Sequence, residues 1–228
     1  MKWFIQIIVG YLLADFIGGI FHWFEDSYLS YCTKIPLLSS IAKDNEMHHY
    51  YPRLIVNCSW YESIYITLLI TTSFFVLFYF TLSRRFWKNY WIFIYTSLIV
   101  GTFTNILHKF AHMRDCETNQ IIKVLQFFGL IQSHDYHSLH HEQANNRYCI
   151  VSVYLNTILD FINFWKGIEY VIFILTGIQP KKKDKYIDYK SIHTNVHIES
   201  RKECPRLITD KEEKELQNKL KKYKNCQI

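Results

Sequence analysis

The residues in this chain most able to do chemistry are histidines, and their spacing suits the holding of metal ions. His137, His140 and His141 form a His-x-x-His-His cluster inside the stretch SHDYHSLHH, which begins at Ser133. Residues three and four apart share one face of a helix, so the three make a single stripe of donors. His108 and His112, four apart, point the same way, although such a pair alone would as readily cap a helix. His48 and His49 add two donors and His22 one, with Asp26 four positions further on along the same face. Of eleven histidines in the chain, nine fall between positions 22 and 141, each at or just outside the edge of an apolar run.

Donor number narrows the chemistry. A catalytic zinc ion takes three protein ligands and often a general base in H-E-x-x-H, a motif this sequence lacks. Eight imidazoles exceed one tetrahedral ion and suit two ions. Imidazole binds zinc, copper, iron and nickel alike, so the donors by themselves leave the metal open. A paired iron site beside lipid tails would suit the activation of oxygen against an unactivated C–H bond.

The elements that must position these donors are membrane helices. The run 3–24 is 22 mostly apolar residues behind Lys2; 64–82 is 19 residues without charge and 90–107 is 18. A helix needs roughly 20 residues to cross a hydrocarbon core. No small-residue cleavage site follows the first run, and Asp15 and His22 lie within it, so it reads as a retained helix and not a signal peptide. Asp15 is either a buried structural partner or part of the site. Gly18-Gly19 permits close approach of a neighbouring helix. Residues 83–89 (SRRFWKN) read as a turn, making 64–82 and 90–107 a hairpin. His48-His49 precede that hairpin and His108 follows it, so they share one face of the membrane. His22 joins them if the first helix starts on the side of the turn.

Residues 25–63, broken by Pro36 and Pro52, read as short interfacial helices and loops. The apolar stretches 121–132, 149–164 and 167–178 are short or interrupted and read as interfacial or re-entrant helices, with Gly177 and Pro180 as a stop signal. The predicted fold is therefore all-α: a multi-span helical membrane protein with about four membrane-embedded helices and a histidine-rich metal site. A membrane-embedded domain covers 1–180. A basic tail covers 181–228, with a short helix suggested by the Thr209/Glu212 capping pattern and the shared face of Leu216, Leu220 and Tyr223.

The chain has 26 Lys and Arg against 20 Asp and Glu, a net charge of +6. Much of the excess follows position 179, beside apolar segments, so an anionic membrane surface is the expected partner and nucleic acid is not. Lys34, Lys43, Arg53, Lys109, Arg114, Lys123, Arg147 and the tail lie on the histidine side, and Lys2, Arg84, Arg85 and Lys88 on the other. The positive-inside bias puts the site in the cytosol. The six cysteines show no C-x-x-C pair or regular spacing, from which a reducing compartment without a disulfide framework is expected.

The stretches ADFIGGIFHWFEDS (14–27), MHHYYP (47–52), GTFTNILHKFAH (101–112), HSLHH (137–141), YLN (154–156) and FWKGIEYVIFILTGIQPKKKD (164–184) carry a resemblance. In them the chain resembles the Kua-type lipid desaturases, whose characterised members are plasmanylethanolamine desaturases. The match runs in family order over 10–184 and leaves the tail uncovered. It implies a di-iron oxygenase of the endoplasmic reticulum that uses O2 and electrons from a cytochrome-b-type donor to desaturate the alkyl chain of an ether phospholipid beside its oxygen. By motif position His22, His48, His49, His108, His112, His137, His140 and His141 would be the iron ligands and the catalytic set, and Asp26 an acid that orients one of them. The family pattern places further histidines where this chain has Cys58, Gly129, Tyr136 and Asn145, its loop after His141 is one residue shorter, and His134 is additional. The alternatives are a desaturase or hydroxylase of another acyl lipid, and a non-catalytic homologue with a degraded site.

Overall fold

A computed structural model describes residues 2–30, 32–50, 52, 54–142, 145–181 and 214. Among them every regular element is a helix: α1 (Lys2–Ser27), α2 (Pro36–Tyr50), α3 (Leu54–Asn57), α4 (Trp60–Thr81), α5 (Arg84–His112), α6 (Gln120–Phe127), α7 (His134–Glu142), α8 (Tyr154–Phe161) and α9 (Phe164–Thr176). Three of these, α1, α4 and α5, are long and apolar enough to cross a membrane. The helix expected in the tail lies outside the described residues.

The hairpin of α4 and α5 is tighter than the sequence suggests. Ser59 caps α4 in a reciprocal box with Glu62, and Ser83 caps α5 by accepting from Phe86 N–H. Residues 84–89 are thus the polar first turns of α5, at the depth where charged side chains reach water. At its other end α5 runs on to His112 and carries both His108 and His112. The two arms are joined by Thr67 Oγ1 donating to Thr102 O at 2.7 Å and by a 2.8 Å contact of the Thr71 and Thr102 hydroxyls.

Helix α1 packs along α5 in the same direction. A Cβ on Gly10 would meet Phe93 O, one on Gly18 would meet Thr104, and the ring of His22 lies 5.6 Å from that of His108. Helix α1 therefore does begin on the side of the turn, and all the histidine groups converge at one end of the bundle. Near the opposite end the Gln6 carboxamide sits inside the α5 backbone ladder. Its Nε2 donates to Asn89 O and its Oε1 accepts from Phe93 N–H, at 2.9 and 3.3 Å. Those are the two ends of a normal i to i−4 bond, and Tyr90 between them has non-helical φ −127, ψ 18. An inserted side chain of this kind kinks a helix.

Helices α6, α8 and α9 have 8, 8 and 13 residues, too short to cross. Phe127, Phe161 and Leu175 are among their exposed apolar residues, so their outer faces continue the apolar surface of the spans, as interfacial helices do. Gly177 caps α9 in the left-handed region, as its stop signal predicts. Behind the site, Trp23, Tyr148, Cys149, Leu159 and Trp165 form a buried cluster.

One expectation fails. Cys32 and Cys116 are disulfide-bonded, whereas Cys149 is free. Bonding requires only proximity in space. Cys32 follows α1 and Cys116 follows α5, and neither stands in a motif that linear spacing would reveal.

Candidate metal centre

Four helices deliver the donors: α1 brings His22 and Asp26, α2 His48 and His49, α5 His108 and His112, and α7 His137, His140 and His141. With Asp26 as the ninth, the donors form two separate groups. One comprises His48, His108, His112, His137 and His141; the other His22, Asp26, His49 and His140. In each, the donor atoms lie within 4.8 Å of one another, and all nine residues are buried.

Helical rotation explains the partition. Residues four apart fall about 40° apart around the axis, so His108/His112, His137/His141 and His22/Asp26 each serve one group. Adjacent residues fall about 100° apart, so each doublet divides. His48 enters the five-histidine group and His49 the other; His141 enters the five-histidine group and His140 the other. The single stripe expected of His137, His140 and His141 is therefore split between two neighbouring centres. The rings of His49 and His141 lie 4.8 Å apart across the boundary.

In the first group His137 Nε2 stands 2.9 Å from His108 Nε2 and 3.2 Å from His141 Nε2, and His108 Nε2 stands 3.1 Å from His112 Nε2. Two nitrogens bound at right angles to one ion at about 2.1 Å would be about 3 Å apart. In the second, Asp26 Oδ1 lies 2.8 Å from His49 Nε2, and Oδ2 lies 3.3 Å from His140 Nε2 and 3.9 Å from His22 Nε2. Asn45 Nδ2 also donates to Asp26 Oδ1 at 2.8 Å.

The other ring nitrogens are used for orientation. Nδ1 of His22 donates to Tyr148 O, Nδ1 of His140 to Asn146 O, and Nδ1 of His137 to Gln132 Oε1, at 3.0, 2.7 and 3.0 Å. With the hydrogen on Nδ1, the Nε2 lone pair points into the site. Nε2 of His22, His48 and His140 are buried and make no hydrogen bond. Such orphaned acceptors are costly in a fold that ends there, and metal coordination would satisfy them. The donor set therefore fits two ions.

The site also favours uncharged imidazole. Burial, reinforced by the neighbouring imidazoles, holds His48, His137 and His141 well below the usual histidine range. Burial lowers His140 too, against the opposing pull of Asp26. Neutral imidazole is the form that binds metal.

All eight predicted histidines are thus brought together, and Asp26, expected to orient a ligand, lies among the candidate donors itself. The departures from the family pattern fall elsewhere. Cys58, Gly129, Tyr136, Asn145 and His134 belong to neither group. Gly129 has φ +68, and a Cβ there would stand 2.7 Å from Val153 Cγ2, so a histidine would not fit without movement. Tyr136 donates to Val153 O, and Asn145 is exposed in a turn. Gln132, a polar residue ending an apolar run, carries no local signal, whereas Asp15 stands out as an acid within a membrane helix. The latter accepts from Val151 N–H, Ser152 N–H and Ser152 Oγ at 2.9, 3.0 and 2.7 Å, which makes it a buried structural partner of the loop behind the site.

A helical membrane protein with two adjoining, buried, imidazole-rich groups that could hold metal ions is the class that fold and site define. Residues 11–183 match the lipid desaturase domain, and the chain belongs to that family. It is 35% identical to a protein of Acanthamoeba polyphaga mimivirus named "Probable fatty acid desaturase", over 79% of this chain and 88% of that one. It is 30% identical to plasmanylethanolamine desaturase 1 of Mus musculus, over 78% of this chain and 68% of that one. It is likewise 30% identical to the chloroplastic fatty acid desaturase 4-like 2 of Arabidopsis thaliana, over 75% of this chain and 60% of that one. No solved structure matches it. The chain is a lipid desaturase, a membrane oxidoreductase.

Proposed function

We propose that this chain is a di-iron, O2-dependent desaturase that introduces the vinyl ether double bond into the alkyl chain of an ether phospholipid, converting a plasmanyl- to a plasmenylethanolamine. The carrying observation is the pair of adjoining buried groups, five histidines beside three histidines and Asp26, in a lipid desaturase. Bound iron would supply the oxygen activation that attack on an alkyl C–H bond demands. The chain's own residues hold two ions side by side, keep the imidazoles neutral, and place the carboxylate of Asp26 in one group. The reaction removes two hydrogens from adjacent chain carbons. With two electrons from a cytochrome-b-type donor and two protons, O2 leaves as two waters.

The relatives named as fatty acid desaturases favour a second reading, in which the same chemistry acts on an acyl chain. Expression in cells that lack plasmalogen desaturation separates them. Restored acid-labile vinyl ethers, lost again in His112→Ala, are the expected result. A well-expressed, iron-loaded chain that leaves plasmanyl lipids unconverted overturns the ether reading, and new double bonds in acyl chains would establish the other.

The endoplasmic reticulum is proposed from the family resemblance, and the cytosolic facing of the site from charge placement. The bonded Cys32 and Cys116 pull the other way, because disulfides persist in oxidising compartments. In sealed microsomes a membrane-impermeant amine reagent should label Lys34 and Lys43 from outside; labelling only after permeabilisation reverses the assignment.

A further inference from the structure

Gln132 lies between helices α6 and α7, fully buried, and every polar atom of its side chain is committed. Nε2 donates to Cys149 O and to Ser152 O, and Oε1 faces His137 Nδ1 at 3.0 Å. A flipped carboxamide would set Oε1 against two carbonyl oxygens, neither of which can donate. The orientation is therefore fixed by the loop. Since Oε1 can only accept, His137 must carry its hydrogen on Nδ1, leaving a bare Nε2 toward His108 and His141.

The loop that fixes Gln132 is itself fixed. Gln132 N–H donates to Val151 O at 2.9 Å, Asn156 brackets Cys149 through both its N–H and its carbonyl, and Asp15 of α1 takes the amides of Val151 and Ser152. Gln132 thus joins a rigid backbone segment to one ring nitrogen.

We propose that Gln132 is the positioning residue of His137, setting its tautomer and ring orientation for the ion of the five-histidine group. The inference rests on the two-ion reading above. It concerns a side chain that touches no metal and acts only through His137.

Two measurements on the full-length chain in detergent test it. The first is cobalt(II) titration, followed by the visible absorption of the bound ion, on wild type, Gln132→Met, His137→Ala and the Gln132→Met/His137→Ala double variant. Loss of a hydrogen-bond partner behind a ligand weakens a site by about ten- to a hundredfold. Gln132→Met should weaken one cobalt ion by that factor and leave the other unchanged. The double variant should bind no more weakly than His137→Ala. Wild-type affinity in Gln132→Met overturns the proposal. So does a double variant whose loss is the product of the single losses, because Gln132 would then act on the loop and not through His137.

The second measurement needs neither metal nor variant folding of Gln132. In the metal-free chain with histidines labelled by heavy nitrogen, His137, assigned by its absence in His137→Ala, should show hydrogen on Nδ1. Hydrogen on Nε2 overturns the proposal. A wild type that takes up only one cobalt ion overturns the two-ion reading instead, and leaves the tautomer result standing.

Discussion

Asp26 is the only charged side chain among the nine candidate donors, and Asp26→Asn tests whether the two groups are separate metal sites. The substitution keeps the shape and removes the charge. At about 4 Å and an effective dielectric of about 20, two unit charges attract by about 4 kcal/mol, so a divalent ion loses about 8 kcal/mol. Desolvating the buried carboxylate costs several kcal/mol, which the variant no longer bears. A net loss of about 3 kcal/mol remains, a factor of more than about a hundred in Kd. The loss should fall on one ion only, because the five-histidine group contains no carboxylate.

The assay is anaerobic loading with iron(II), followed by chelator competition and a count of iron per chain. Wild type is expected to hold two ions, and Asp26→Asn one, at wild-type affinity. His141→Ala, on the other side of the boundary, should also retain one ion but lose the partner that Asp26→Asn keeps. Combining the two should remove both. Two irons held by Asp26→Asn at wild-type affinity would refute Asp26 as a donor. Loss of both irons from a chain with an unchanged melting profile would refute the division into separable groups.

Asp15→Ala leaves two buried amides and a hydroxyl without their acceptor, at about 1–3 kcal/mol each, so the thermal midpoint in detergent should drop sharply although no candidate donor is touched. Gly19→Ala puts a Cβ 2.7 Å from Cys149 Sγ and 3.1 Å from its backbone N and Cα; overpacking of this kind costs about 1–3 kcal/mol, measurable by chemical denaturation. For the metal-free chain, pH should act through the histidines outside the spans. His48, His137 and His141 have folded-state pKa values below the unfolded value of about 6.5, so below that pH the unfolded chain takes up protons that the folded chain refuses. Stability should be fully present above about pH 6.5 and fall as the pH drops, and a melting point that rises on acidification would contradict the neutral site.

What the sequence shows about this site is what helical periodicity governs. His108/His112 and His22/Asp26 are legible because a spacing of four is itself a statement about direction. The doublets are less so. Read as donors, His140 and His141 look like one stripe with His137, and only the placement of α2, α5 and α7 around them reveals which side each faces. Charge misleads at 84–89, where Arg84, Arg85 and Lys88 resemble a turn but form the membrane-edge turns of α5. Contacts between distant positions are not legible at all. Asp15 meets Ser152 across 137 positions, and the two bonded cysteines share no motif.

The doublets also bear on how two ions could be held at a fixed separation. A rigid tilt of α2 moves His48 and His49 together, and so moves one donor of each group; the same is true of α7 with His140 and His141. Neither group can be displaced alone by moving these helices. The remaining donors are anchored separately, with α5 supplying only the five-histidine group and α1 only the group of Asp26. Because α1 and α5 pack along one another in the same direction through Gly10 and Gly18, their relative height is fixed over most of their length. The geometry between the centres is thus set by two parallel spans and bridged by two doublets. That places rigid helices, and not flexible loops, in control of the distance on which two-metal chemistry depends.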